Sequence, residues 1–128
     1  MNPDAFFPRA FALGGFLAVL LGAVGAHVLR GALDERGQML WQTAVQYHFW
    51  HILALGWIVQ RLERRPACRW LKWSGAFFVG GITLFSGGLY LVAATGVAAF
   101  ARIAPFGGVA LMLGWLALLV HSFRPNSP

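Results

Sequence analysis

Long runs without any charged side chain divide this chain into four segments. Residues 10–29 form a run of 20 such positions, residues 37–60 a run of 24, residues 73–101 a run of 29, and residues 103–123 a run of 21. A helix needs about 20 residues to cross a hydrocarbon core of about 30 Å. The runs are continuously apolar rather than alternating, which favours helices over the strands of a membrane barrel. The pattern predicts an all-α integral membrane bundle of four transmembrane helices in a single domain, residues 1–128.

Local sequence signals mark the ends of these helices. Asp34 can cap the helix that leads into the second span, and Pro66 breaks the loop that follows it. Thr95-Gly96 indicates the end of the third helix, and Pro105 the start of the fourth. We therefore expect the four spans to lie approximately at residues 10–29, 39–59, 73–94 and 105–122.

Basic residues are distributed unevenly between the two sides of such a bundle. With four spans, both termini and the middle loop share one side, which carries seven basic residues: Arg9, Arg61, Arg64, Arg65, Arg69, Lys72 and Arg124. The opposite side carries only Arg30, Arg36 and Arg102. Because cytoplasmic loops are enriched in Lys and Arg, we expect both termini in the cytoplasm. The interfacial anchors are expected among Trp41, Trp70, Trp73 and Tyr90.

Composition and charge agree with the membrane interpretation. The hydrophobic fraction is 59% and the charged fraction 11%, against about 45–50% and about 25% in soluble domains. A net charge of +6 is also found in proteins that bind nucleic acid. Here the charges form short clusters between apolar runs, which is typical of loops that flank membrane spans, and we expect no nucleic-acid partner. The single cysteine, Cys68, excludes an intramolecular disulfide.

Small residues recur at helical spacing in three of the spans. Such ridges let neighbouring helices approach closely. We expect the packing positions to include Gly14, Ala18, Gly22 and Ala26 in the first span, Gly80 and Gly88 in the third, and Gly107 and Gly114 in the fourth.

The second span carries intramembrane polarity that the other spans lack. At 100° per residue, Gln42 and Gln46 lie on one face of the helix, Tyr47 and His51 lie on a second face, and His48 lies on a third. Polar groups that face lipid cost free energy, so each of these faces should contact protein, water or a ligand. With His27 of the first span, these residues form the candidate polar cluster: His27, Gln42, Gln46, Tyr47, His48 and His51.

Cofactor binding by these residues is possible but is not required by their spacing. A metal site normally needs three or four ligands. His27 would be the third ligand beside His48 and His51, yet His27 lies about 5 Å and His48 about 14 Å from the connecting turn. A haem held with help from His121, or a quinone near Tyr47, stays open as an alternative. We expect neither a metal nor a cofactor.

Catalytic motifs are absent from the sequence. No Gly-x-Ser-x-Gly elbow, His-Glu-x-x-His pair or nucleotide-binding glycine loop occurs. We therefore expect no enzymatic activity. Proton or small-solute permeation would depend on histidines and would need an oligomer, because four short helices leave little room for alternating access.

Several stretches in order along the chain resemble a known family. They are residues 22–27, 41–48 with His51, 84–90 and 103–108 with Gly114-Trp115. In these the chain is similar to the domain of unknown function 423 family, the YgdD-like small inner-membrane proteins. It departs from that pattern at Ala104, where Thr is usual, and at Gly88, where Ser is usual. The resemblance implies a four-helix protein of the bacterial cytoplasmic (inner) membrane and supplies no activity.

The sequence therefore leaves three functional hypotheses. The first is a non-enzymatic accessory or interaction protein, whose partners are the lipid bilayer and either further copies of the chain or a larger membrane complex. The second is binding of a lipid, quinone, haem or metal by the polar cluster of the second helix. The third is permeation of protons or small solutes through an oligomer.

Overall fold

The computed structural model describes residues 5–124, and this part of the chain is helical without any strand. Four α-helices follow one another, with a short 3₁₀ helix before the last. They are α1 (Phe6–His27), α2 (Glu35–Arg64), α3 (Arg69–Thr95), the 3₁₀ helix (Ala98–Arg102) and α4 (Ala104–Ser122). The predicted all-α, four-helix architecture is confirmed.

Three of the four helical segments are both long and apolar enough to cross a membrane. They are Phe6–His27, Arg69–Thr95 and Ala98–Ser122. Helix α2 has 30 residues and is the longest, but its glutamines and histidines lower its mean hydropathy. It packs against α1 on one side and against α3 on the other. A helix enclosed in this way can carry polar side chains because protein, rather than lipid, surrounds much of it.

The helix ends follow the local signals in the sequence. Oδ1 of Asp34 accepts a hydrogen bond of 2.7 Å from the backbone nitrogen of Gly37, which caps α2. Helix α3 ends at Thr95 and is capped by Gly96, whose φ of 71° lies in the left-handed region that favours glycine. Pro105 occupies the first turn of α4. Helices α2 and α3 extend beyond the predicted spans at both ends, because helical backbone continues through flanking charged residues. Helix α1 begins four residues before its predicted span and ends two residues before the predicted end, whereas α4 nearly coincides with its prediction.

Each helix packs mainly against its neighbour in the sequence, in the order α1, α2, α3, α4. Helices α2 and α3 supply most of the buried residues, whereas Ala18 is the one buried residue of α1. The main core cluster comes from α2, α3 and α4 and comprises Ile52, Leu55, Ile58, Leu71, Phe78, Ile82 and Leu111. Helix α1 therefore lies at the edge of the bundle.

The closest approach of two backbones involves Gly107 of α4. A Cβ atom at this position would meet the backbone nitrogen of Phe85 on α3. Backbone cannot move aside as a flexible side chain can, so only glycine fits here. A Cβ on Gly114 would lie 2.5 Å from the ring of Phe78, and one on Gly88 would lie 3.4 Å from the backbone nitrogen of Ala104. These three glycines hold α4 and the segment before it against α3.

The other predicted packing positions differ in their surroundings. Gly14 lies against Ile52 of α2, and a Cβ on Gly22 would make ordinary contact with Val45 at 3.6 Å. Ala26 is exposed. A Cβ on Gly80 would meet nothing within 4 Å, whereas one on Gly81 would lie 2.5 Å from Leu111. The close contact on α3 therefore falls one residue after the predicted position, because the helix turns Gly80 away from α4.

Candidate functional site

Both ring nitrogens of His51 are hydrogen-bonded inside the bundle. Nδ1 lies 2.7 Å from the backbone carbonyl oxygen of Tyr47, one turn earlier on α2. A carbonyl oxygen only accepts, so Nδ1 carries the hydrogen. Nε2 then accepts from the indole nitrogen of Trp115 on α4, at 3.0 Å. The buried imidazole is thus held in one neutral tautomer, and its lone pair faces a donor.

His48 is connected to α3 and α1 rather than to α4. Its Nδ1 lies 3.0 Å from the hydroxyl oxygen of Tyr90 on α3, and the backbone of Gly14 on α1 is its second hydrogen-bonding neighbour. When Nε2 donates to the Gly14 carbonyl, Nδ1 accepts the hydroxyl hydrogen of Tyr90. His48 is buried, with 5% of its surface exposed. His48 thus links α2 to α3 and α1, whereas His51 links α2 to α4.

A contact between two aromatic rings continues the interhelical contacts of His48 toward the N-terminal end of α2. The rings of Trp41 and Tyr90 have centroids 4.7 Å apart. The indole nitrogen of Trp41 donates a 2.9 Å hydrogen bond to the carbonyl oxygen of Leu21 on α1, and its ring covers Gly25. Trp41 and Tyr90 were expected among the interfacial anchors. The structure places both rings between helices, where each polar atom has a partner inside the bundle, and their position at the interface stays a prediction.

The glutamines of α2 occupy a different face. Gln38, Gln42 and Gln46 line an open groove of about 470 Å³ between α1 and α2, which Gly22, Ala26 and Arg30 also border. We call this the polar groove. The side-chain nitrogen of Gln38 donates to the loop carbonyl oxygens of Arg30 at 2.7 Å and Leu33 at 3.1 Å.

Gln42 and Gln46 differ from Gln38 in lacking such partners. Both side chains are exposed, and within residues 5–124 neither amide has a hydrogen bond to another residue. Gln46 lies 11 residues beyond the start of α2, a distance of about 16 Å along the helix axis. An amide at that depth, without a partner among the described residues, presents an unused donor and acceptor to whatever fills the polar groove.

The structure thus places the six residues of the candidate cluster in three surroundings. Gln42 and Gln46 face the polar groove, and His48 and His51 are buried between helices. Tyr47 is half-buried against Phe85. His27 is exposed at the end of α1, away from the other two histidines.

Metal and haem ligation can be examined from the same contacts. His121, the possible second haem ligand, has its Nδ1 3.5 Å from the sulfur of Cys68. Over residues 5–124 no three side chains of His, Cys, Asp or Glu come together in a group that suits a metal ion. Ligation by His48 or His51 would require the hydrogen bond that each lone pair accepts to break.

Two buried serines form interhelical hydrogen bonds that the sequence did not reveal. Oγ of Ser86 donates to the carbonyl oxygen of Ala44, and Oγ of Ser74 to that of Gly114, both at 2.8 Å. Ser74 and Ser86 are almost fully buried. Serine is common in membrane helices, so only a polar position on the helix face turned toward a neighbour could have indicated them.

Comparisons with known proteins give consistent results. A family model described as "Protein of unknown function (DUF423)" matches residues 21–108. The chain is 36% identical over 113 residues to the UPF0382 membrane protein YwdK of Bacillus subtilis, which covers 88% of this chain and 92% of that protein. It is 39% identical over 114 residues to the UPF0382 inner membrane protein YgdD of Escherichia coli K12, with 88% and 86% covered. No solved structure matches the chain. The names of these relatives and the three apolar helices confirm the expected location in the bacterial cytoplasmic membrane.

Proposed function

We propose a function that starts from one premise: the chain belongs to the DUF423 family of membrane proteins. On this proposal it is a non-enzymatic interaction protein, and the polar groove docks a transmembrane helix of its partner. The observation that carries the proposal is the pair Gln42 and Gln46, exposed on α2 without hydrogen-bonding partners in the described chain.

Energetics favour a docked helix over bare lipid. Burying an amide without a hydrogen bond costs roughly 2–7 kcal/mol, depending on the reference solvent. A partner helix that hydrogen-bonds Gln42 and Gln46 removes this cost. Gly22 and Ala26 beside them carry little or no side chain, which lets a further helix approach closely. The polar groove thus combines hydrogen-bonding groups that lack partners in the described chain with small residues that permit close helix packing.

A second copy of this chain is the occupant that the chemistry favours. A glutamine amide carries both a donor and an acceptor, so two such stripes related by a twofold axis can pair with each other. Twofold dimers with self-complementary interfaces are also the commonest symmetric assemblies.

Replacing both glutamines tests the proposal. Gln42→Leu with Gln46→Leu should convert an associated state to a monomer, measured by cross-linking in membranes and by mass in detergent. The fold should persist, because neither amide bonds within the described chain. Gln60→Leu, at an exposed position near the other end of α2, is the matched control and should leave association unchanged.

Site-specific photocross-linking identifies the occupant. A photoreactive residue at position 46 should form an adduct with another membrane protein or a second copy, whereas one at position 112, where Met112 is exposed on α4, should not. A wild-type chain that is monomeric in the membrane and forms no protein adduct from position 46 would remove the basis of the proposal.

A small polar ligand is the second candidate occupant. The volume of about 470 Å³ lies within the range of small-molecule sites, and Arg30 at its border would attract an anion. In that case native mass spectrometry should detect a small co-purifying molecule that the Gln42→Leu, Gln46→Leu variant loses, without any change in oligomeric state.

A further inference from the structure

A second and larger groove lies at the other end of the bundle. The loop between α2 and α3, the first turns of α3 and the last turns of α4 enclose about 910 Å³. Four arginines border it: Arg64, Arg65, Arg69 and Arg124. We call this the basic groove. Its position at the helix ends, with both loop and span residues in its lining, places it where the hydrocarbon meets the headgroups.

Two contacts bring the end of α4 to the α2–α3 loop. The sulfur of Cys68 lies 3.5 Å from Nδ1 of His121, and the guanidinium carbon of Arg124 lies 5.0 Å from the centre of the Trp70 ring. The cation–π contact holds Arg124 over the start of α3. Arginines that are far apart in the sequence are thereby collected around one opening.

The basic groove continues into the membrane as an apolar wall. Trp73 and Phe77 stand one turn apart on α3, and Leu113, Leu116 and Val120 follow one face of α4. Trp73 is 55% exposed and Leu116 54% exposed. Because α3 and α4 are of membrane-spanning length, this wall faces acyl chains rather than water.

We infer that the basic groove binds an anionic phospholipid. The arginines hold the phosphate and the apolar wall holds an acyl chain. Arginine's planar guanidinium matches phosphate oxygens in a bidentate manner, and no Asp or Glu is found among the described residues that line the groove. Basic pockets between transmembrane helices are known sites for anionic headgroups. A soluble phosphate would use the arginines but would leave the adjoining wall without a role.

Lipid retention by the full-length protein tests this inference. The protein is extracted in mild detergent, supplied with equal amounts of phosphatidylglycerol and phosphatidylcholine, and analysed by native mass spectrometry. Wild type should retain phosphatidylglycerol preferentially. The Arg69→Gln, Arg124→Gln variant should weaken that retention by about fivefold for each arginine, about 25-fold for the pair.

A control variant with the same net charge as the Arg69→Gln, Arg124→Gln variant distinguishes the loss of a specific lipid site from a general effect of net charge on lipid retention. Arg36→Gln with Arg102→Gln removes two arginines from the opposite end and should leave phosphatidylglycerol retention unchanged. Equal retention of both lipids by wild type, or equal losses in the two double variants, would overturn the inference. Displacement of phosphatidylglycerol by millimolar inorganic phosphate would overturn it too, because the site would then be one for soluble anions.

A measurement on wild type alone guards against misfolding of the variants. Phosphatidylglycerol with a photoreactive acyl chain should label peptides from residues 69–77 or 113–124. Labelling confined to α1, which contributes no residue to the lining of the basic groove, contradicts the assignment.

Discussion

The indole nitrogen of Trp115 lies 3.0 Å from Nε2 of His51, a hydrogen bond that joins α4 to α2 across 64 residues of sequence. Helix α4 otherwise packs mainly on α3. The bond therefore ties the last helix directly to the second one, past the ring of Phe78, which contacts both His51 and Trp115. It also uses the lone pair through which His51 would otherwise bind a metal.

Removing this donor should weaken the bundle. Trp115→Phe keeps an aromatic ring but leaves Nε2 of His51 without a partner, and we expect the free energy of unfolding to fall by about 1 kcal/mol. Reversible unfolding in mixed micelles measures the change. Trp73→Phe, at an exposed position without an indole hydrogen bond in the described chain, is the control. Equal stability of the Trp115→Phe variant and wild type would show that the bond contributes nothing.

The two glycine environments predict opposite outcomes for one substitution. Gly107→Ala places a methyl group against the backbone of Phe85, so α3 and α4 must separate, and we expect a loss of about 1–3 kcal/mol. Gly80→Ala meets open space and should be neutral or slightly stabilising, because alanine is the better helix former. The same unfolding assay compares them. Equal destabilisation by both substitutions would contradict the packing described for Gly107.

Metal removal should leave the protein unaffected. Nδ1 of His48 is already hydrogen-bonded to the hydroxyl of Tyr90, and Nε2 of His51 already accepts a hydrogen bond from Trp115, so a chelator should not change the free energy of unfolding, and added zinc should not raise it. Elemental analysis of the purified protein provides an independent measurement. Zinc or iron at one equivalent per chain, lost on chelation together with stability, would refute this expectation.

The single cysteine offers a direct test of orientation. Cys68 is half-buried in the loop between α2 and α3, and the distribution of basic residues predicts a cytoplasmic position for that loop. A membrane-impermeant maleimide should label it in inverted vesicles but not in intact cells with a permeable outer membrane. The control carries Cys68→Ser and Val97→Cys, which moves the thiol to the loop after α3, and should show the opposite pattern. Labelling of Cys68 from outside would invert the topology.

Much of the fold followed from one-dimensional features. Charge-free runs gave four helices, because the length of apolar chain that crosses a bilayer is fixed by helical rise. Asp34, Gly96 and Pro105 marked helix ends because their preferences depend on their own backbone geometry. The contacts between helices were harder to predict from the sequence. Periodicity indicated Gly80 as a packing position, whereas the contact with Leu111 is made by Gly81.

The structure separates the candidate polar cluster into exposed glutamines and buried histidines, and the helical wheel alone could not show which residues would be buried. Periodicity separated the glutamine stripe from the histidines, but it did not show that Tyr90 and Trp115 would satisfy those histidines. Both partners lie on other helices, and their choice depends on helix rotation and depth. Gly88 and Ala104, the two departures from the family pattern, are likewise distant in sequence and lie in contact in the fold.

The sequence by itself determined that the helices lie in a membrane, how many helices there are, and to which family the chain belongs. Each of these depends only on the order of residue types along the chain. Tertiary structure alone decided which polar groups are satisfied and which stay available. Hydrogen bonds form only when two helices bring a donor and an acceptor within about 3 Å, and that depends on the rotation and register of both helices. For this reason His48 and His51 form hydrogen bonds between helices, whereas Gln42 and Gln46 are exposed at the polar groove.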